Sequence, residues 1–380
     1  MSSQVTRYFA RALFDGETLY NNVCLSVSDG RVVELTANAS PENAQILDGL
    51  LTPGFIDVQV NGGGGVQFNL TPDIATLRQM ALAHLRHGTT SMLPTVITDD
   101  FAAMQRAADA VASVLAQGQD QSVIGVHFEG PHISQAKKGM HSSQYIRPLS
   151  AQELALFTRQ DLGKVIVTLA PEAVRTEDIR TLVNAGVKVC LGHSNADFDT
   201  AAMAINAGAD GVTHLFNAMS ALEGRAPGMV GAALWFDSVY CGLIVDHLHL
   251  HPKSAALAIK VKGAERIMLV TDAMAQAASD VTEFEYDGQT VTRVGDKLTL
   301  ADGTLAGSAL TMDKALINTC HDLGYELASC LRMASTTPAE YLGLAAEIGS
   351  LKQGSQANML LLDQHSLAVK QVWLQGNLQE

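Results

Sequence analysis

The sequence predicts an α/β fold: a parallel (β/α)8, TIM-type barrel with a small β-sandwich domain formed by both termini. Two observations carry this. Eight short apolar runs alternate with Ala/Leu-rich helical stretches through the middle of the chain, and strand-like segments split by turn residues occupy both ends. A third removes the main competitor. An open doubly wound sheet rarely needs eight strands, and no Gly-x-Gly-x-x-Gly follows the first run. The 380 residues exceed the roughly 250 of a bare barrel, so a second unit is expected. The expected division is residues 1–52 plus 348–380 for the sheet domain and 53–347 for the barrel.

At the N-terminal end, Val23–Val27 and Arg31–Leu35 flank Ser28-Asp29-Gly30, a hairpin signal. Asn358–Leu362 and Val369–Leu374 are the strand-like counterparts at the other end. The barrel strands are read as Gly54–Val60, Thr89–Val96, Val123–Phe128, Val165–Leu169, Val187–Leu191, Gly211–Leu215, Val239–Val245 and Ile267–Val270. Helices are read over Asp73–His87, Phe101–Gln117, Ala151–Arg159, Glu177–Ala185, Ala196–Ala207 and Lys253–Val261. Arg225–Trp235 is short and Gly-rich and shows no clear helical pattern. Thr282–Ser308 holds Asp287-Gly288 and Asp302-Gly303 turns and reads as hairpins inserted after the eighth strand; Met312–Leu323 and Leu327–Leu342 read as helices.

Apolar residues make up 47% and aromatics only 5%, so branched aliphatic side chains must fill the barrel. A formal charge of −14 argues against a nucleic-acid partner. It leaves room for a small phosphorylated substrate, which needs only a few local cations or amide groups. The five cysteines form no Cys-x-x-Cys pair and read as buried thiols in a reducing compartment. Met1–Asp15 is polar and broken by charge, and no apolar run reaches about 18 residues. A cytoplasmic protein without a membrane span is expected.

Barrel active sites lie at the C-terminal ends of the strands. Strand one ends in Gln59-Val60-Asn61, strand three in His127-Phe128-Glu129, strand five in Gly192-His193-Ser194 and strand six in His214-Leu215-Phe216-Asn217. Strand seven ends in Asp246-His247-Leu248-His249 and strand eight in Thr271-Asp272. A lone His or Glu at a strand end is more often a satisfied buried polar group. Glu129, His193 and His214 converging at one barrel end are instead the ligand set of one divalent ion, zinc first, with iron, cobalt, nickel or manganese also suited. Asp272 is then placed to take a proton from water and return it to a leaving nitrogen. Asp57 reads as a structural hydrogen-bonding group, and His84, His87, His321 and His365 as structural or surface residues. Gly62–Gly65 lacks the Lys-Ser/Thr of a phosphate loop and reads at least as well as a tight turn.

Pro53-Gly54-Phe55-Ile56-Asp57 resembles the first-strand signature of the amidohydrolase superfamily. His127-Phe128-Glu129-Gly130-Pro131, Lys138-Gly139-Met140-His141, Gly192-His193-Ser194, Thr213-His214-Leu215-Phe216-Asn217-Ala218-Met219 and Val270-Thr271-Asp272-Ala273 resemble the N-acetylglucosamine-6-phosphate deacetylase family, in order and spacing, over nearly the whole chain. The resemblance implies hydrolysis of N-acetyl-D-glucosamine 6-phosphate to glucosamine 6-phosphate and acetate, with one ion per subunit. Where the superfamily carries His-x-His, this chain has Gln59 and Asn61. Amides are poor ligands, so these two join the substrate-binding set rather than a second metal site. The resemblance makes Asp272 the acid/base and has His141 contact the acetamido carbonyl and its oxyanion. It places Asn217 and Ala218 near the phosphate, and Arg225 and His249 as phosphate contacts from the neighbouring subunit of a homodimer. His247 stands where the family often has Gly, which leaves open whether it or His249 meets the phosphate. The competing readings are an amidohydrolase of cyclic amides or dipeptides, and a barrel that binds without catalysis. The first usually keeps His-x-His and a strand-four lysine, whereas Lys164 precedes its strand; the second loses metal ligands.

Overall fold

In a computed structural model, Phe55–Val60, Thr89–Ile97, Gly125–Glu129, Lys164–Leu169, Lys188–Leu191, Gly211–Val212, Tyr240–Leu243 and Ile267–Leu269 pair in sequence order in one parallel sheet. The structure describes residues 5–118 and 120–379; residues 1–4, 119 and 380 lie outside it, among them the head of the polar N-terminus. The barrel closes between its last and first strands. Val60 bridges Ala273, the N–H groups of Asn61 and Gly62 donate to Ala273 O at 2.9 and 2.8 Å, and Asp272 N–H donates to Gln59 O at 2.9 Å. Every barrel strand falls within a few residues of its expected position.

The helices begin where short polar side chains satisfy the first free N–H groups. Asp73, Asp100 and Asp197 accept from Thr76, Ala103 and Thr200, and Ser150 forms a reciprocal capping box with Glu153. One element was not legible. Gly228–Trp235 is an α-helix, and Gly228 to Ala233 are all buried in it. This helix is made only of glycine and apolar residues, so it has no polar face and the 3.6-residue alternation that marks other helices is missing. Farther on, Leu327–Leu342 splits into Leu327–Ala334 and Thr336–Tyr341 around Ser335. Pro338 supplies no N–H to the earlier turn, which accounts for the break.

Thr6–Phe14, Leu19–Ser28, Arg31–Thr36, Gln45–Pro53, Met359–Leu362, Val369–Leu374 and Asn377–Leu378 form a mixed seven-stranded sheet from both termini. The N-terminal and C-terminal parts join where Gln45–Pro53 pairs with Met359–Leu362. Tyr8 and Trp373 lie three strands apart in this order, with two strands between them, which in a flat sheet would separate them by about 14 Å. Their rings are 5.8 Å apart. The sheet therefore curls over its own apolar face, burying Tyr8, Leu25, Leu51, Met359 and Trp373 in one cluster. Its edge is stitched shut: Val32 N–H donates to Ser355 O at 2.9 Å and Ala357 N–H to Gly30 O at 2.8 Å. This is the sandwich expected from the two termini. Phe14, Leu50, Leu360 and Leu362 join the barrel core instead.

The insert is a three-stranded antiparallel sheet, Glu283–Tyr286, Gln289–Val294 and Lys297–Thr299. Its Val291, Leu298 and Leu300 pack with Met274 and Ala306, and Met140 packs against that cluster. The insert thus leans over the C-terminal mouth of the barrel. Among the described residues, no helix is long and apolar enough to cross a membrane.

Trp373→Ala removes the ring that both halves of the curled sheet share. The expected loss is about 3–5 kcal/mol, read from the urea midpoint. An unchanged midpoint would mean that the curl does not depend on this contact.

Candidate active site

Glu129, His193 and His214 end the third, fifth and sixth strands or follow them by one or two residues. Glu129 Oε1 lies 3.0 Å from His193 Nε2 and 3.0 Å from His214 Nε2, and the two nitrogens are 3.0 Å apart. All three residues are buried, with exposures of 2, 5 and 4%. His193 Nδ1 is 2.9 Å from Lys137 O, and only a protonated nitrogen can bond a carbonyl. In the neutral ring Nε2 is then bare. A bare nitrogen facing a carboxylate oxygen at 3.0 Å is repulsive unless a positive charge lies among the three. Ligand atoms about 2.0–2.2 Å from one ion stand roughly 3.0–3.5 Å from each other. The triangle fits a divalent ion. Burial opposes the charge on Glu129, but the His193 and His214 rings beside it outweigh burial and hold the carboxyl well below its usual range.

Three residues of this site sit in left-handed backbone: His193 at φ 47°, His214 at φ 32° and Asp272 at φ 52°. Non-glycine residues adopt that region at a cost, and such strain collects at functional sites. No sequence signal marks it.

Asp272 is held from strand one. Asn61 Nδ2 donates to its Oδ1 at 2.6 Å, and Gln59 Nε2 donates to the same oxygen at 3.2 Å and to Glu129 Oε2 at 3.1 Å. The two amides bind carboxylates, not an ion. Burial and the nearby Glu129 charge push Asp272 up to about 6 against the pull of His214, His249 and Asn61. Below it, Asp57 accepts from Thr271 Oγ1 at 2.5 Å and from Gln59 N–H at 3.2 Å, and burial raises its carboxyl to about 7. Asp57 is thus structural, as expected. His127 is also internal: its nitrogens meet Val58 O at 2.9 Å and Thr168 Oγ1 at 2.7 Å.

A cavity of about 370 Å3 opens above the triad, lined among others by Asn61, His141, Asn217, Ala218, His249 and Asp272. His141 Nδ1 meets Thr98 Oγ1 at 2.7 Å, its ring centroid is 4.2 Å from that of His193, and burial with the neighbouring His193 drives its pKa well down. Asn217 N–H is committed to His214 O at 2.9 Å, so the free amide of this pair is that of Ala218, at φ 50°. Of the strand-seven histidines, only His249 lines the cavity. Its Nδ1 is 2.6 Å from Asp246 Oδ2 and its Nε2 3.0 Å from Ala306 O. Burial disfavours its charge, but Asp246 prevails and raises the pKa. His247 pairs instead with Asp322 at 2.9 Å, and His251 caps the helix Pro252–Lys262.

In its own chain, His249 lines the cavity and is held there by Asp246. Arg225 lies elsewhere, exposed, in a second cavity with Lys137, Asp197, Asp199 and Glu223, and makes no hydrogen bond or ion pair within the described residues. Gly62–Gly65 is no phosphate cradle. The N–H groups of Gly64 and Gly65 donate to Ala277 and Ala275, and a Cβ on Gly63 would lie 2.4 Å from His84 Nε2. Sequence reasoning missed Lys137, Met274 and the wall Thr304–Gly307, which the insert swings into place from far along the chain.

The amidohydrolase family model matches residues 50–378. The chain belongs to the amidohydrolase family. This amidohydrolase is 46% identical to the N-acetylgalactosamine-6-phosphate deacetylase of Shewanella sp. (strain ANA-3), over 97% of the chain and 94% of that relative. It is 37% identical to the N-acetylglucosamine-6-phosphate deacetylase of Haemophilus influenzae over 81% of each. The solved N-acetylglucosamine-6-phosphate deacetylase from Pasteurella multocida superimposes with a TM-score of 0.94 at 36% identity, covering 99% of this chain and 100% of that one.

The amidohydrolase purified without chelator is expected to carry about one divalent ion per chain by elemental analysis, and His193→Ala or His214→Ala to lose most of it. Full metal content in both variants would exclude the triad as the binding site.

Proposed function

We propose that this amidohydrolase removes the acetyl group from an N-acetylhexosamine 6-phosphate, with the galacto epimer preferred. The observation that carries the reading is one carboxylate, Asp272, clamped by Gln59 and Asn61 beside an ion-binding triad at the floor of an open cavity. The substrate class comes from the relatives. The 46% identity to a galactosamine-type enzyme favours that epimer, and the glucosamine-type resemblance of the motifs makes the gluco epimer the second choice.

A divalent ion on the triad supplies Lewis acidity toward the acetyl carbonyl and lowers the pKa of water to about 7. Asp272 takes the proton of the attacking water through Oδ2, because Oδ1 is occupied by the two amides. A carboxyl raised to about 6 suits a group that accepts a proton near neutrality and then gives it back. As the C–N bond breaks, that proton goes to nitrogen, leaving a free amine and acetate. His141 faces the cavity and meets the oxyanion. The N–H of Ala218, which meets no acceptor among the described residues, offers a phosphate contact in the same cavity, while both ring nitrogens of His249 are taken by Asp246 and Ala306 O. In a homodimer, the partner subunit's Arg225 would add a guanidinium, a role favoured by its exposure and lack of partners in its own chain. The cyclic-amide and dipeptide readings fare worse, since strand one donates to carboxylates and Lys164 starts strand four at the opposite end.

Asp272→Asn should keep the metal and bind substrate normally, while kcat falls roughly 10²–10⁴-fold. Near-normal turnover would remove Asp272 from the proton transfers. On a sugar panel, acetate release should be fastest from N-acetylgalactosamine 6-phosphate, slower from the gluco epimer and far slower from unphosphorylated sugars. Arg225→Ala should narrow the gap between phosphorylated and free sugars. Equal rates with and without phosphate would refute the phosphate assignment, and a reversed epimer order would assign the gluco substrate.

A further inference from the structure

We propose that Thr98 is a positioning residue that fixes His141 as its Nε2–H tautomer, so that the ring donates at the reacting carbonyl. The inference rests on the deacetylase reading and deepens it. Thr98 follows the second barrel strand, Thr89–Ile97, by one residue. It brings two groups to one nitrogen: Oγ1 stands 2.7 Å from His141 Nδ1, and the Thr98 backbone N–H points at the same atom from 3.4 Å.

The hydroxyl alone would not decide the tautomer, because it can donate or accept. The backbone N–H does decide it, because it can only donate. A proton on Nδ1 would point at that N–H and leave it without an acceptor in a buried place. The hydroxyl would then have to pass its own proton to Glu129 O across 3.5 Å, whereas with Nδ1 bare that proton is donated across 2.7 Å. With Nδ1 as acceptor, both Thr98 donors are satisfied on a 1%-exposed residue. The single proton of the neutral ring is left on Nε2. That nitrogen has no partner among the described residues, and His141 lines the cavity beside the metal triad. A donor there can meet an oxyanion; a bare nitrogen would repel one.

Thr98 is not an ordinary filled position. A Cβ on Gly130 would lie 2.2 Å from Thr98 Oγ1, and Gly130 sits at φ +87°. The residue after the metal ligand Glu129 thus goes without a side chain where the hydroxyl stands.

The test uses zinc-loaded enzyme with 15N-labelled histidine, the His141 signals being assigned by their loss in His141→Gln. A bare Nδ1 and a protonated Nε2 are expected in the wild type. Thr98→Val removes the closer donor and should lower kcat roughly tenfold or more with KM within about twofold, the loss of one charge-stabilising hydrogen bond. Thr98→Ser, which keeps the hydroxyl, should restore most of it. A protonated Nδ1 in the wild type overturns the proposal whether or not the variants fold, as does Thr98→Val with normal kcat. If the tautomer is as stated but no N-acetylhexosamine 6-phosphate yields acetate, the deacetylase reading falls, and the catalytic role given to Thr98 falls with it.

Discussion

Three electron-rich atoms held 3.0 Å from one another repel unless they share a positive charge, and the barrel holds Glu129 Oε1, His193 Nε2 and His214 Nε2 in that arrangement. The scaffold tolerates this only because the ligands are over-determined. Lys137 O orients one ring, Gln59 fixes the far oxygen of Glu129, and the backbone enters left-handed conformations to aim both imidazoles inward. None of these devices stabilises the fold by itself. Together they keep the three ligand atoms preformed in a buried place, where electrostatic interactions are stronger than in bulk water.

The seam that closes the barrel also fixes Asp272. Strands eight and one join through Asp272, Ala273, Gln59 and Asn61, so the Asp272 carboxyl and its amide clamp are fixed by the hydrogen bonds of closure. Asp57 extends the arrangement one layer down by gripping Thr271. An imidazole at position 59 or 61 would bring a metal ligand to this seam; an amide brings a donor to a carboxylate. With amides at these two positions strand one orients the Asp272 carboxyl, and Glu129, His193 and His214 are the one group among the described residues arranged to hold an ion.

Much of this was legible in the sequence, because strand ends in a parallel barrel all point to one face. Glu129, His193, His214 and Asp272 could be brought together from alternation alone, and the terminal strands announced a separate sheet. What stayed hidden depends on tertiary context. The helix Gly228–Trp235 has no polar side to give it a period. The wall Thr304–Gly307 reaches the cavity only because the insert packs through Val291 and Leu298 onto Met274. That Asp246 holds His249 in its own chain's cavity has no mark in a linear reading. Thr98, two residues past the strand read as Thr89–Val96, carried no signal at all, because what sets it apart is which way two hydrogen bonds point.

The charge distribution reconciles an acidic chain with a phosphorylated substrate. A net charge of −14 would repel a phosphate at long range, yet screening confines that repulsion to about 10 Å or less at ordinary salt. Binding is then decided locally. In the cavity the carboxylates lie deep and are spoken for: Glu129 faces two imidazoles, and Asp272 two amides. Asp246 raises the pKa of His249, and Lys137 lines both this cavity and the one that contains Arg225. A ligand with its amide over the triad and its anionic end toward these groups would place each part against its electrostatic complement. A neutral amide of the same shape would gain only half of that, which is the physical reason to expect the phosphate to matter for binding more than for the bond that breaks.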